Sequence, residues 1–438
     1  MNILIQNGRV IDPASGFDHI ADVAVADGHI VAIAKAGEKL PATFNAEQTI
    51  DAKGCIVAPG LVDLQVRLRE PGYEHEGMLD SELTAAVAGG VTSLVCPPDT
   101  DPVLDEPGLI EMLKFRSEKL NRARVFPLGA LTRGLKGEVL TEMSDLTDAG
   151  CVGFSQAEVP LENTQVLQRA LQYAATFGYT VWLRPQDMHL GKGVAASGPL
   201  ATRLGLSGVP VAAETIALHT IFALMRSTKA RVHLCRISSA EGVELVRAAK
   251  KEGLAVTADV SINSLHLSDH DIGYFDSRAR VTPVLRQQRD REALRAALAD
   301  GTLDALVSDH TPVDVDAKAL PFAEAESGAT GLELLLSLSL KWAQDSKVSV
   351  LRALDVLTAQ PARVLGKVQG QSDSMGQLHV GGVADLVVFD PEAEWQVTPD
   401  ALHSQGKHTP FSFDMTGMAL PARVKATLVA GRVVYQAV

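Results

Sequence analysis

The chain has 438 residues, of which 46% are hydrophobic and 21% are charged. This composition is typical of a globular protein with a large core, and it excludes disordered, collagen-like and coiled-coil chains. A formal net charge of −13 provides no global positive field for a phosphate backbone, so nucleic-acid binding is not expected. The N-terminus has no signal-peptide pattern, and no stretch reaches the roughly 18 uncharged apolar residues of a membrane span. We therefore expect a cytoplasmic protein without membrane contact.

Both ends of the chain have the pattern of β-strands. Residues 1–57 alternate apolar and polar positions between Gly, Asp and Asn turn signals, as in MNILIQNGRVID, which predicts short antiparallel strands. The same alternation returns near the C-terminus in GQLHVGGVADLVVFD and ARVKATLVAGRVVYQ. The sequence therefore predicts a small β-sandwich domain built from residues 1–57 and 367–438.

The segment between these ends, residues 58–366, alternates short β-branched runs with stretches of helical period. Strands are predicted over 61–67, 91–96, 124–129, 151–154, 180–184, 231–236, 255–259 and 304–308. Helices are predicted over 78–89, 163–177, 239–252 and 289–299. Eight strands alternating with helices predict an α/β fold of the (β/α)8 TIM-barrel type. A doubly wound open sheet is the competing fold, but no G-x-G-x-x-G follows the first strand.

Several sequence motifs occur in the order of one known family. They include PGLVDLQVRLREPG (59–72), AAVAGGVTSLVCPPDTDPVLD (85–105), RVHLCRISSAEG (231–242) and DALVSDHTP (304–312). The chain resembles the dihydroorotase family of the amidohydrolase superfamily over nearly its whole length. The resemblance implies a TIM barrel of the amidohydrolase type, with its site where the strands run into the following loops.

Most residues that hold the family's metal are replaced in this chain. By the resemblance, the metal-ligand positions carry Gln65, Arg67, Gln156, Arg184 and Arg236. Only the aspartate after strand 8 remains, as Asp309 in SDHTP. Glutamine is a feeble zinc ligand and arginine is none, because a guanidinium stays protonated and only donates hydrogen bonds. We therefore expect no zinc and no other cofactor, and we predict a pseudoenzyme in which Asp309 is a remnant.

A second set of positions corresponds to the family's substrate pocket. Arg69 and His310 match it, whereas Asp99 and Thr282 stand where the family has asparagine. One hypothesis is that the arginines pair with Asp99 and Asp309 and fill the former metal cavity. The rival hypothesis is that the same arginines bind a small anionic metabolite, since guanidinium groups suit both roles.

The resemblance is strongest to the inactive dihydroorotase-like paralogues that associate with aspartate carbamoyltransferase. It implies a non-catalytic structural subunit of pyrimidine biosynthesis that assembles or stabilises the catalytic chains of that transferase, in an oligomer or hetero-oligomer. Two alternatives remain open. One is an amidohydrolase that opens cyclic amides with a divergent or absent metal site, and the other is an anion-binding regulatory module.

Two further residue types are assigned to the core. Cys55, Cys96, Cys151 and Cys235 have the spacing of neither a disulfide framework nor a C-x-x-C site, so we expect four buried free cysteines. His233 lies inside a predicted strand, where a hydrogen-bonded core histidine is expected rather than a ligand.

Overall fold

The computed structural model describes residues 1–368, 374–412 and 417–437. The predicted C-terminal segment, 367–438, therefore falls in part outside the described residues. The strands in chain order are β1 Ile3–Asp12, β2 Phe17–Ala26, β3 His29–Lys35, β4 Gln48–Asp51, β5 Ile56–Pro59, β6 Leu61–Asp63, β7 Val91–Cys96, β8 Arg124–Pro127, β9 Gly129–Ala130, β10 Phe154–Ser155, β11 Thr180–Leu183, β12 Ala195–Ala196, β13 Gly208–Val209, β14 Arg231–Leu234, β15 Val256–Ser261, β16 Ala305–Val307, β17 Leu386–Gln396, β18 Ala419–Val429 and β19 Arg432–Gln436.

Helices follow most strands of the central segment. They are α1 Leu79–Ala88, α2 Pro107–Leu120, α3 Met143–Asp148, α4 Thr164–Phe177, α5 Pro199–Leu204, α6 Ala212–Thr228, α7 Ala240–Glu252, α8 Ile262–His266, α9 Gln288–Asp300, α10 Val315–Lys318, α11 Leu335–Ser346, α12 Val350–Asp355 and α13 Ala359–Leu365. Short 3₁₀ helices occur at Arg133–Leu135, Asp269–Ile272, Ser277–Ala279, Leu332–Leu334 and Pro399–Ala401.

Local capping residues explain where the predicted helices begin and end. The side chain of Asn163 accepts hydrogen bonds from the first backbone N–H groups of α4, and Ser239 does the same for α7. Both helices end at a glycine in the left-handed conformation, Gly178 with φ 76° and Gly253 with φ 87°. The four predicted helices correspond to α1, α4, α7 and α9, which confirms those predictions within one residue at each end.

The terminal sheet unites both ends of the chain, as predicted. It has eight strands in the order β19-β18-β17-β5-β1-β2-β3, and β4 also pairs with β1. The prediction that all of these strands are antiparallel is wrong, because β1 pairs with β4 and β5 in parallel. A parallel neighbour needs a crossover connection, and the β2–β3 hairpin between these strands provides it.

The central segment closes into a barrel of parallel strands. One sheet has the order β6-β7-β8, the other has the order β16-β15-β14-β11-β10-β9, and β8 leads directly into β9. A parallel bridge between Val66 and His310 joins the first strand to the last. The eight predicted strands therefore all exist. The predicted fold class, a (β/α)8 barrel with a small β-sandwich domain formed by both termini, is confirmed as a barrel with a β domain from both ends of the chain, whose strands form one eight-stranded sheet. The domain boundaries at 57/58 and 366/367 remain predictions.

Apolar side chains fill two layers of the barrel. Its interior contains Val62, Leu64, Phe126 and Trp182, all nearly inaccessible to solvent. A larger cluster packs the outer faces of the strands against the surrounding helices. All four cysteines are buried and free, as predicted. Among the described residues, no helix combines the length and the apolar composition required to cross a membrane.

The first barrel strand carries a buried carboxyl group, Asp63. One of its oxygens accepts hydrogen bonds from the backbone N–H groups of Gln65 and Ser308, each at 3.2 Å, and the other oxygen has no partner. Burial raises the pKa of Asp63 to about 7. Because an unfolded aspartate has a pKa of about 3.9, the folded state binds one more proton between these two values. Stability is therefore lost as the pH rises from about 4 to 7, by about 1.4 kcal/mol per pH unit.

The variant Asp63→Asn removes this titration. We expect its free energy of unfolding, relative to wild type, to increase between pH 5 and pH 8. Urea denaturation at both pH values measures the difference, and Asp316→Asn at an exposed position is the matched control. An unchanged difference between the two pH values would contradict the prediction.

Candidate active site

A cavity of about 170 Å³ lies where the barrel strands run into their C-terminal loops. This is the end of the barrel at which TIM-barrel enzymes carry their chemistry. Six of the ten residues selected from the sequence line the cavity: Arg67, Arg69, Asp99, Arg236, Thr282 and Asp309. The fold therefore brings together residues that are up to 242 positions apart in the sequence.

Glu158, which the sequence analysis did not select, stands at the centre of these residues. Its carboxylate forms ion pairs with Arg67, at 2.9 Å, and with Arg184 and Arg236. The residue follows β10 in GFSQAEVP, two positions beyond Gln156. The sequence did contain a clue to this residue, because Glu158 lies close to the position of the family's bridging acid. Only the path of the backbone shows that its side chain faces the cavity.

Two further acids complete this arrangement. Arg67 Nε donates to Asp99 Oδ2 at 2.9 Å, and Arg236 Nη1 donates to Asp309 Oδ1 at 2.8 Å. Three guanidinium groups and three carboxylates form what we call the arginine–acid cluster: Arg67, Arg184, Arg236, Asp99, Glu158 and Asp309. Three positive and three negative charges balance, which reduces the cost of burying them.

Burial and charge act differently on two of these carboxyl groups. Burial disfavours the charged form of Glu158, but the charges of Arg184, Arg236 and Arg67 outweigh it and hold the pKa well below its usual range. At Asp309 burial prevails over the charges of Arg236 and Arg67, and the pKa is raised. Glu158 is therefore ionised at neutral pH, while Asp309 takes up a proton at a higher pH than an ordinary aspartate does.

The backbone is strained at the residues that direct side chains into the cavity. Arg69, Arg236 and Asp309 are left-handed, with φ of 62°, 57° and 52°. Ala157, directly before Glu158, has φ 50°. Such conformations cost free energy in non-glycine residues and cluster at functional sites.

The remaining pocket positions are held by local partners. Arg69 pairs with Glu76 at 2.7 Å and donates to the carbonyl of Pro312 at 2.8 Å. The hydroxyl groups of Thr282 and Ser327 share a hydrogen bond of 2.6 Å. Arg69 and Thr282 thus form fixed walls of the cavity.

Four predicted site residues do not line this cavity; one of them, Arg184, reaches the cluster through its ion pair with Glu158. Gln156 is turned away, since its amide accepts from Thr132 and donates to the carbonyl of Leu135. His310 is fully buried and hydrogen-bonded to Glu82 at 2.7 Å, so it joins the barrel to α1. Gln65 is buried beside the first strand and is not among the lining residues. These three belong to the packing of the barrel.

The cluster does not fit a metal ion. Its carboxylates, Asp99, Glu158 and Asp309, are each paired with a guanidinium, and guanidinium groups repel a dication. Gln156, at the family's bridging-acid position, uses its amide oxygen for Thr132. No step is assigned to a metal at this position.

A group of metal-binding residue types lies instead inside the barrel. One ligand atom each from His233, Cys235 and Asp259 lies within 4.8 Å of the others, and all three residues are buried. Imidazole, thiolate and carboxylate are the donor types that zinc prefers. In the structure the two ring nitrogens of His233 form hydrogen bonds with Thr257 Oγ1 at 2.8 Å and with Asp259 Oδ2 at 2.9 Å. This confirms the predicted hydrogen-bonded core histidine. Burial raises the pKa of the Cys235 thiol well above its ordinary value.

Comparison with known sequences matches the chain to two families. The family described as Dihydro-orotase-like matches residues 54–242, and the Amidohydrolase family matches residues 209–435. A "Dihydroorotase-like protein" of Pseudomonas aeruginosa is 44% identical, with 100% of both chains covered. A "Dihydroorotase" of Geobacter sp. (strain M21) is 40% identical, again with 100% of both chains covered.

Comparison with solved structures gives the same fold. L-hydantoinase (dihydropyrimidinase) from Arthrobacter aurescens superimposes with a TM-score of 0.85 at 25% identity, covering 99% of this chain and 96% of the other. Dihydropyrimidinase from Brevibacillus agri superimposes with a TM-score of 0.83 at 22% identity, covering 100% and 95%. At 22% identity, the comparison with the Brevibacillus agri structure shows a shared fold and nothing further.

These findings correct two predictions. The predicted pseudoenzyme is wrong, because relatives at about 40% identity are named dihydroorotase and the structure superimposed at 25% identity is an L-hydantoinase, which points to a catalytic amidohydrolase. The predicted absence of zinc is also contradicted, by the amidohydrolase match and by the group of His233, Cys235 and Asp259. Both predictions rested on the residues at the family's ligand positions; His233 and Cys235 had been assigned to the core, and Asp259, which the fold brings beside them, had not been considered.

The sequence matches cover nearly the whole chain, and the barrel, its terminal sheet and the position of the cavity agree with them. The chain belongs to the dihydroorotase family of the amidohydrolase superfamily.

Proposed function

We propose that the chain hydrolyses a cyclic amide of the dihydroorotate or hydantoin class with a divergent site. The observation that carries this proposal is the pair of Asp309 and Arg236 in the cavity at the barrel mouth, 2.8 Å apart. A buried carboxylate with a raised pKa is suited to accept a proton, and a guanidinium beside it is suited to stabilise negative charge.

The two groups supply the two requirements of amide hydrolysis. The carboxylate of Asp309 takes a proton from a water molecule as the water oxygen forms a bond to the ring carbonyl carbon. The electron pair of the carbonyl moves onto its oxygen, which faces the guanidinium of Arg236. When this intermediate collapses, the carbon–nitrogen bond breaks and the carboxyl group of Asp309 returns the proton to the departing nitrogen.

Other residues of the cavity hold this pair in place. Arg236 is fixed by Glu158 as well as by Asp309, so its charge cannot swing away from the cavity. Arg69 lies on the cavity wall, where its charge can face a carboxylate carried by the substrate ring. A cation held by His233, Cys235 and Asp259 would link β14 to β15, and none of these three residues is among those lining the cavity.

Turnover measurements test the proposal. Purified protein, with and without added zinc, is incubated with dihydroorotate, hydantoin and dihydrouracil, and ring opening is followed by NMR. We expect ring opening of at least one compound above the rate without protein. The same rate with and without protein for all three compounds, in both metal conditions, would overturn the proposal.

We further propose that the chain associates with catalytic chains of aspartate carbamoyltransferase. Support comes from the resemblance of the sequence to the dihydroorotase-like paralogues that associate with this transferase. This association is independent of whether the barrel is catalytic.

Coexpression tests the association. The chain and the transferase of the same organism are expressed together and separately, and each sample is sized by chromatography with light scattering. We expect a joint species that is heavier than either protein alone. Separate elution, together with normal assembly of the transferase without this chain, would refute the association.

A further inference from the structure

A second, larger cavity adjoins the first at the mouth of the barrel. It has a volume of about 530 Å³ and shares Glu158, Arg236, Thr282 and Ser327 with the smaller cavity. Its other walls come from the loop after β11 and from the segment that leads into α9. It is therefore a neighbouring space that contacts the Asp309–Arg236 pair through Arg236.

The lining of this larger cavity is strongly basic. Its cationic residues are Arg184, Lys192, Arg236, Arg280 and Arg286. The acidic residues of the lining are Glu158 and Glu214, so five positive and two negative charges leave a balance of +3. The whole chain has a net charge of −13, so this local excess opposes the overall charge. A cleft lined by an excess of positive charge concentrates anions.

Arg280 is one of the cationic residues of this lining for which the described part of the chain provides no ion pair. Among the described residues its guanidinium has no ion pair, and its buried Nε has no hydrogen-bond partner. Its backbone is nevertheless anchored, because its carbonyl accepts from Lys318 Nζ at 2.9 Å and from the backbone N–H of Gly328 at 3.0 Å. Burial lowers the pKa of Arg280, and no acidic group offsets this effect. Arg280 as a whole is only partly buried, but a guanidinium whose buried Nε has no partner is costly unless an acceptor such as an anion completes it.

Arg286 provides a second fixed donor group in the same cavity. It is 7% exposed, and its described hydrogen bonds go to neutral oxygens, Ser238 Oγ at 2.8 Å and the carbonyl of Val209 at 3.3 Å. Glu214 lies behind Ser238 and accepts from its hydroxyl at 2.6 Å. Arg286 is thereby held in place without a carboxylate on the guanidinium itself.

We propose that this cavity binds a small polyanion, a phosphate ester or a polycarboxylate, with one anionic group on Arg280 and a second on Arg286. Phosphate and carboxylate groups both suit these arginines, because a planar guanidinium binds either group through paired hydrogen bonds. The site rests on the cavity and its unpaired arginine, and it does not depend on hydrolysis at Asp309.

Calorimetric titration tests this site. Wild-type protein is titrated with inorganic phosphate and with citrate, at an ionic strength held constant with sodium chloride. We expect saturable binding of at least one, and a loss of affinity of about tenfold or more in Arg280→Gln. Tighter binding of phosphate supports a phosphate ester, tighter binding of citrate supports a polycarboxylate, and equal binding supports a polyanion site that accepts both.

The matched control is Arg169→Gln, which removes the same charge from an exposed position on α4. We expect it to bind like wild type. Arg280→Lys keeps the positive charge but loses the planar guanidinium with its paired donors, so it should weaken binding less than Arg280→Gln. This variant also tests the site if Arg280→Gln does not fold. No saturable binding to wild type, or equal losses in Arg280→Gln and Arg169→Gln, would overturn the proposal.

Discussion

Glu158→Gln is expected to lower the free energy of unfolding by about 3 kcal/mol. The substitution leaves Arg67, Arg184 and Arg236 facing a neutral amide in place of the carboxylate that pairs with all three. Removing one partner of a buried ion pair typically costs about 3 to 5 kcal/mol, because the remaining charge is left uncompensated. We expect the lower end of this range, since 31% of the Glu158 side chain is exposed and water partly replaces the lost partner. Urea denaturation at pH 7 measures the change.

The matched control for this substitution is Glu162→Gln in the same loop, whose side chain is 67% exposed. We expect it to unfold at nearly the same urea concentration as wild type, because exposed ion pairs contribute little. Equal stability of Glu158→Gln and Glu162→Gln would show that the cluster does not stabilise the fold.

Acid titration provides an independent measure of the same carboxylate. The folded-state pKa of Glu158 lies below the unfolded value of about 4.3, so its stabilising effect is complete above that value. The effect is lost as the pH falls through the unfolded pKa and towards the folded one. Wild type should therefore lose more stability than Glu158→Gln between pH 5 and pH 2.

The sequence was sufficient to predict the fold because the pattern is strong and local. Each of the eight predicted strands is a β-branched run bounded by turn residues, and each exists in the barrel. The parallel pairing of β1 with β4 and β5 was missed because alternation indicates a strand but not the direction of its neighbour.

The site was predicted only in part, for a physical reason. Positions that closely follow a barrel strand, such as Arg67 and Arg236, were predictable because parallel strands deliver the start of their loops to the same end of the barrel. Side chains in loops depend on the loop backbone, and the left-handed Ala157 places Glu158 rather than Gln156 in the cluster. Pairings such as His310 with Glu82 depend on how elements pack, which a single sequence does not specify.

Asp309→Asn is expected to reduce turnover of the cyclic amide by at least about 100-fold. The amide of asparagine does not accept a proton at neutral pH, so the water molecule would lose its general base. A proton-accepting side chain typically contributes about 10²- to 10⁴-fold to such a reaction. Ring opening measured under saturating substrate determines the loss, provided that a thermal melt shows the variant to be folded at the assay temperature.

The matched control is Asp316→Asn, an exposed aspartate in the short helix α10 that follows the same strand. It should keep wild-type turnover, so a loss confined to Asp309→Asn identifies the carboxylate in the cavity. Because burial raises the pKa of Asp309, wild-type activity should fall on acidification at a pH above the ordinary aspartate value of about 3.9, as the base becomes protonated. A purely structural role of Asp309 would lower the melting temperature but would not produce this acid limb. A folded Asp309→Asn variant with wild-type turnover would mean that the proton is accepted elsewhere.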